Sequence, residues 1–218
     1  MSELADRADA GRRLANELTS RLPDLAGDDV VVLGLPRGGV EVAYVVAQAL
    51  HAPLDVLVVR KLGVPGQPEL AMGAVGEEGV LVLDERVLGQ AHVPSSVVEE
   101  VAAGQREALA ELAGALRPAD RAPVPLDTRT ALIVDDGIAT GSTARAACRT
   151  ARARGARRVV LAAPVAPPGV AAALREDADE VVCLLEPPSF SSVSRWYRNF
   201  PQTSTEEVRE LLDRAHER

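Results

Sequence analysis

The stretch Ala131-Leu132-Ile133-Val134-Asp135-Asp136-Gly137-Ile138-Ala139-Thr140-Gly141-Ser142-Thr143 decides how this chain is read. Residues 130–134 form an apolar run of strand length, as expected of a strand buried on both faces in a parallel sheet. Two carboxylates follow it, then a turn of small and hydroxyl residues, then a helix expected over 141–154 and stopped by Gly155. In open α/β sheets, ligands bind at the carboxyl ends of the strands. The amino end of a helix offers unpaired N–H groups and the positive end of the helix dipole, which suit a phosphate. Gly141 lets the backbone approach such a group closely, and Thr140, Ser142 and Thr143 add hydroxyl donors. Asp135 and Asp136 would repel a phosphate, but they suit hydroxyl groups, from which they accept hydrogen bonds. The expected ligand carries a diol at one end and a phosphate at the other, as a ribose 5-phosphate does.

Other phosphate-site patterns fit less well. A Walker loop needs Gly-Lys-Ser/Thr, and this loop has no lysine; the GxGxxG dinucleotide fingerprint is also missing. A dehalogenase-type phosphatase needs Asp-x-Asp, whereas these two acids are adjacent and expected to point to opposite sides of an extended chain. A capped helix behind an acidic turn is the purely structural alternative.

Around the loop, strands and helices alternate. Leu4, Ala8, Gly11, Ala15, Leu18 and Leu22 recur at spacings of three and four and predict an amphipathic helix. Residues 30–35 and 54–60 read as strands on either side of a helix over 40–50, a βαβ unit interrupted by Pro36-Arg37-Gly38-Gly39. Residues 61–79, rich in glycine and proline, predict a long mobile loop, and 80–83 a short strand. A helix is expected over 94–116 with Ser96 and Glu99 as a capping box, and a linker over 118–125. Strands over 158–163 and 180–185 flank a helix over 168–175 that has Pro168 in its first turn. An irregular segment, 186–202, precedes a terminal helix capped by Thr205. The alternation predicts an α/β fold, an open and mostly parallel sheet with flanking helices, in one domain whose core spans about 28–185.

Bulk properties narrow the function. A net charge of −8 over 218 residues disfavours a protein whose task is gripping nucleic acid. Arg145, Arg149, Arg152, Arg154, Arg157 and Arg158 alternate with alanine and are expected on the solvated face of a helix. Cys148 and Cys183 lack metal or disulfide spacing and read as small buried residues, while His51, His92 and His216 are scattered. Glu77 and Glu78 read as a solvated turn rather than a general-base pair. The opening MSELADRADAGRR lacks the apolar centre of a signal peptide, and no run approaches the ~18 apolar residues of a membrane span. A soluble, cytoplasmic protein is expected.

The segment from Ala131 to Thr143 resembles the motif by which type I phosphoribosyltransferases bind 5-phosphoribosyl-1-pyrophosphate (PRPP). The resemblance implies a Rossmann-like core with a small hood built from about 186–218. It implies that Asp135 and Asp136 hold the ribose 2- and 3-hydroxyls, and that Gly137, Ile138, Ala139, Thr140, Gly141, Ser142 and Thr143 surround the 5-phosphate. Gly34-Leu35-Pro36-Arg37-Gly38-Gly39 is similar to the family's pyrophosphate loop, which can carry an unusual cis peptide; Pro36–Arg37 is the matching bond. Arg60-Lys61 resembles the basic pair of adenine-type members, and 61–79 occupies the place of the flexible catalytic loop, although its own sequence matches no acceptor-specific subfamily.

The implied reaction transfers ribose 5-phosphate from PRPP to a nitrogen acceptor such as a nucleobase and releases pyrophosphate. Asp135 and Asp136 would anchor the sugar and favour its cationic transition state; Arg37, Lys61 and Arg60 would neutralise the leaving pyrophosphate. Mg²⁺ would bridge pyrophosphate and ribose oxygens with few protein ligands, and no side chain is assigned as a direct one. Phe190, Trp196, Tyr197 and Phe200 crowd one segment, where they either stack on the acceptor or form a small satellite core. A homodimer is expected, with no nucleic-acid or membrane partner. The alternative on the same fold is a PRPP-sensing regulator without transferase activity.

Overall fold

The computed structural model describes residues 4–27, 29–117 and 121–217. Helix α1 (Arg7–Arg21) leads to β1 (Val30–Gly34), α2 (Gly38–Leu50) and β2 (Leu54–Val56). Then come β3 (Val59–Val64), β4 (Gln67–Gly76), β5 (Leu81–Leu83), α3 (Glu85–Ala91) and α4 (Ser95–Leu116). The remainder holds β6 (Thr130–Val134), α5 (Ser142–Ala153), β7 (Arg158–Val165), α6 (Val170–Ala173), β8 (Glu180–Leu185) and α7 (Thr205–His216).

Five strands form a parallel sheet in the order β2-β1-β6-β7-β8. Every residue of β1 and β6 is buried, because helices cover both faces. Successive side chains therefore alternate between two cores. Val30, Val32, Leu132 and Val134 join Leu14 and Leu18 of α1, Val42 and Val46 of α2, and Val208 and Leu212 of α7. Val31, Leu33, Ala131 and Ile133 join Ala144, Ala147, Cys148 and Ala151 of α5. The parallel α/β architecture is the expected one, and β6 lies at its centre.

Several local expectations are corrected. Residues 61–79 are not a loop. β3 and β4 form an antiparallel hairpin, and β5 completes a second, three-stranded sheet. Leu62, Val64, Met72 and Val75 are buried in one core with Val98, Ala102, Leu109 and Leu116 of α4. Gly63, Gly73 and Gly76, which suggested mobility, mark close packing, and a Cβ on Gly76 would lie 2.4 Å from Thr150 Cγ2, whereas Gly66 and Gly79 turn the chain at positive φ. The strand expected over 54–60 is two strands in different sheets, so Arg60 and Lys61 lie inside the hairpin.

Glu77 is buried, not solvated. It pairs with Arg117, which also donates to Asp55 Oδ1 at 3.0 Å and to the Val56 carbonyl at 3.0 Å. Helix α4 follows Pro94 with no side-chain cap, so the Ser96–Glu99 box does not form. Helix α7 is capped by Ser204, with Glu207 completing a capping box and Thr205 as the first helical residue. Because α7 packs on α2, α4 and β2, the hood shrinks to the segment before it. Much of the basic face of α5 is ion-paired: Arg145 and Arg149 with Asp177, and Arg152 with Asp179. Among the described residues, no helix is long and apolar enough to cross a membrane.

Candidate active site

β1 and β6 run in register with Gly34 opposite Val134, so the turns that follow leave the sheet side by side. The Leu35 amide donates to the Val134 carbonyl at 2.9 Å, and the Pro36–Arg37 peptide is cis. Helix α2 then starts at Gly38. A Cβ on Gly38 would lie 1.9 Å from Asp136 Oδ2, and one on Gly39 would lie 2.9 Å from the Asp135 Cα. These positions are glycine because the acidic doublet presses against their backbone. Strand pleating ends at Val134, so the acids do not diverge as expected: both lie against the first turn of α2, where negative charge meets the positive end of a helix.

Asp136 is held at three points. Its amide donates to Asp135 Oδ1 at 2.9 Å, its carbonyl accepts from the Tyr197 hydroxyl at 2.6 Å, and its Oδ2 accepts from Arg7 Nε at 2.8 Å. The buried Arg7 also donates to the Pro201 carbonyl at 2.7 Å and to Glu41 Oε1 at 3.3 Å, and its guanidinium carbon lies 3.9 Å from the Phe200 ring centre. Burial, and then the neighbouring Asp136 charge, push the Asp135 carboxyl up to about 8. Burial also raises Asp136, opposed by Arg7. Burial raises the Tyr197 hydroxyl, which therefore stays protonated as a donor.

Arg7 escaped the sequence reading, although a signal existed. It stands in helical register with the buried Ala10, Gly11, Leu14 and Leu18. A charge on a buried stripe requires a partner.

The loop between Asp136 and α5 is open. The Ile138 amide is anchored to the Val165 carbonyl at 2.9 Å, while Ala139 and Thr140 are exposed. The amides of Ala139, Thr140, Gly141 and Thr143 have no hydrogen-bond partner among the described residues. Gly141 has φ +80°, a left-handed conformation that turns the chain into α5. Together these donors stand open at the start of a 12-residue helix, an arrangement that suits an anion.

The predicted cations are distributed differently. Arg37 stands beside the doublet, half-buried at the N-cap of α2. Arg60 and Lys61 sit on β3, in a hairpin that packs on α5, rather than at a main-sheet strand end. The Arg60 Nε is buried without a hydrogen-bond partner. Lys61 faces Ala74 across the hairpin, and Ala74 lines a small cleft with Ser142 and Arg145 of α5.

The aromatic segment is the satellite core. Tyr197 is buried with Leu4, Ala10 and Val165, and its ring lies 4.7 Å from that of Phe200. Phe190 and Trp196 pack half-buried on the same cluster. Tyr197 is therefore unavailable to stack on an acceptor, and Phe200 is occupied by Arg7. Val193 rests on the loop: a Cβ on Gly137 would lie 2.4 Å from it. Burial pushes the Cys148 thiol up to about 12, consistent with an inert packing residue.

Residues 1–197 match the family model for the phosphoribosyl transferase domain. A Mycobacterium tuberculosis protein provisionally named a phosphoribosyl transferase is 56% identical over 211 residues, covering 97% of this chain and 46% of that protein. The chain thus spans about half the length of the curated relatives it matches. The crystal structure of TT1426 from Thermus thermophilus has 42% identity and a TM-score of 0.86, covering 96% of this chain and 97% of that one.

Proposed function

The chain belongs to the phosphoribosyl transferase domain family, and on that premise we propose that it takes up Mg²⁺-bound PRPP, transfers the ribose 5-phosphate to a nitrogen acceptor and releases pyrophosphate. One observation carries the reading: a paired acidic doublet and an unbonded amide cradle stand at the carboxyl end of the central strand, beside the Arg37 turn. The order of chemistry along this ridge suits PRPP, with a diol between two phosphoryl ends.

In this reading Asp135 and Asp136 accept hydrogen bonds from the ribose hydroxyls. The amides of Ala139 to Thr143, at the start of α5, receive the 5-phosphate. Arg37 offsets the charge that grows on pyrophosphate as the C1–O bond breaks and a C1–N bond forms. The acceptor nitrogen loses its proton once bonded to C1. The doublet's negative charge favours the cationic sugar of the transition state.

The described residues hold no cluster of three metal-binding side chains. Mg²⁺ would arrive on PRPP with oxygens and waters of its own. Bound in that way, Mg²⁺ would neutralise pyrophosphate as it leaves.

The test is Mg²⁺- and PRPP-dependent pyrophosphate release with a panel of nucleobases and related nitrogen compounds, beside calorimetric binding of Mg–PRPP. Release with one acceptor is expected. Tight binding without release from any acceptor would favour a PRPP-sensing regulator. No binding at millimolar PRPP would defeat the site assignment.

A further inference from the structure

We propose that Arg7, on the first turn of α1, is a positioning residue for the sugar end of the site: it orients Asp136 and sets a positive charge against it, so that the doublet presents acceptor oxygens to the diol. This inference rests on reading the doublet as the diol site.

Arg7 does not merely tie distant segments together. The contacts with the Pro201 carbonyl and the Phe200 ring would suffice for that. Its Nε instead reaches a single carboxylate oxygen, Asp136 Oδ2, while the Asp136 and Asp135 carboxyls also bond each other. That Oδ2 is the atom pressed against Gly38. Two neighbours thus fix the same oxygen and set the carboxylate plane, while the Asp136 side chain keeps 17% of its surface exposed.

The charge around Asp136 is finely set. Arg7 faces it from α1, Arg37 and Glu41 belong to the first turn of α2, Asp135 adjoins it in the loop, and Tyr197 approaches from the C-terminal segment. Glu41 draws on the same guanidinium and also accepts from the Thr203 hydroxyl. Arg7 is the cation in direct contact with the doublet. Burial already favours protonation of both acids. Without the guanidinium, Asp136 would take up a proton more readily and become a donor where the ligand needs an acceptor. Its backbone would still be held by Tyr197, so the loss falls on charge more than on place.

Mg–PRPP binding measured by calorimetry from about pH 6 to about pH 9 separates this role from a structural one. Arg7→Met should weaken binding by about tenfold to a hundredfold at the acid end, the value of a charge-assisted contact. The deficit should shrink as pH rises and Asp136 ionises again. Arg7→Lys keeps the charge and should keep the wild-type pH profile with a smaller loss. Equal, pH-independent deficits in both variants would overturn the proposal. Should Arg7→Met not fold, Arg7→Met/Asp136→Asn is compared with Asp136→Asn alone, where no charge remains to be kept. Equal affinities support the proposal, and a further loss in the double variant overturns it. A wild-type protein that binds no PRPP at any pH overturns both this inference and the reading beneath it.

Discussion

Arg7 and Arg117 are each 5% exposed and each meets two carboxylates, yet one cluster is closed and the other open. Around Arg117 every carboxylate oxygen has a donor. Asp55 Oδ1 takes Arg117 and the Val56 amide, and Oδ2 takes the Val124 amide at 2.8 Å. Both Glu77 oxygens take Arg117. That cluster joins β2, the turn after β4 and the end of α4, so it welds the two sheets. Around Arg7, Asp136 takes one guanidinium donor and Asp135 one backbone amide, the two carboxyls also bond each other, and burial presses both toward protonation. Two acids and a buried arginine become structure when the chain satisfies every lone pair. They become a site when it withholds some of them for a ligand.

The comparison breaks most sharply at Arg117. Arg117→Met strands two buried carboxylates and should cost about 3–5 kcal/mol in urea unfolding. A loss below about 1 kcal/mol would show the cluster to be solvated.

Next comes Asp135→Asn, where stability and binding should move in opposite directions. The folded protein holds the Asp135 proton up to about 8, whereas the unfolded chain releases it near 3.8. Between those values the folded state carries more protons, so wild-type stability falls as pH rises through that window. Asparagine removes this contribution, and thermal melts should show the variant gaining on wild type toward the alkaline end. Measured above about pH 8, where the wild-type acid is ionised, PRPP affinity should fall by about 1.5–3 kcal/mol with the lost charged acceptor. A variant less stable than wild type at alkaline pH would remove the contrast with Arg117.

Gly38→Ala drives a methyl group into Asp136 and should cost about 1–3 kcal/mol of stability, with PRPP binding lost in parallel. Tyr197→Phe, the smallest change, removes one hydrogen bond to the Asp136 carbonyl and should cost about 1 kcal/mol. If it also halved PRPP affinity, backbone support of the doublet would be part of the site.

Legibility in the sequence follows the range of the interactions. The strand, doublet and cradle over 130–143 could be read directly, because buried apolar runs and small-residue turns are local signals. Arg7 meets Asp136 across 129 positions, and only its place on an apolar stripe hinted at a partner. The run 54–60 hid a change of sheet because buried apolar residues continue through Leu57 and Val58 without a break. The Leu57 amide still pairs with the Gly34 carbonyl at 3.0 Å, while Val59 has already joined the hairpin. In residues 61–79, Gly63, Gly73 and Gly76 meant tight packing and Pro65-Gly66 the hairpin turn, a distinction that only the surrounding structure makes.

The link between Tyr197 and Asp136 also has a timetable. The two residues are 61 positions apart, and Arg7 precedes Asp136 by 129. On a ribosome adding about 5–20 residues per second, the acids emerge to find their arginine waiting, but Tyr197 follows roughly 3 to 12 s later. For that interval the nascent chain carries its most charge-strained spot without its lid of rings. Synonymous codons that slow translation between these positions would lengthen the exposure.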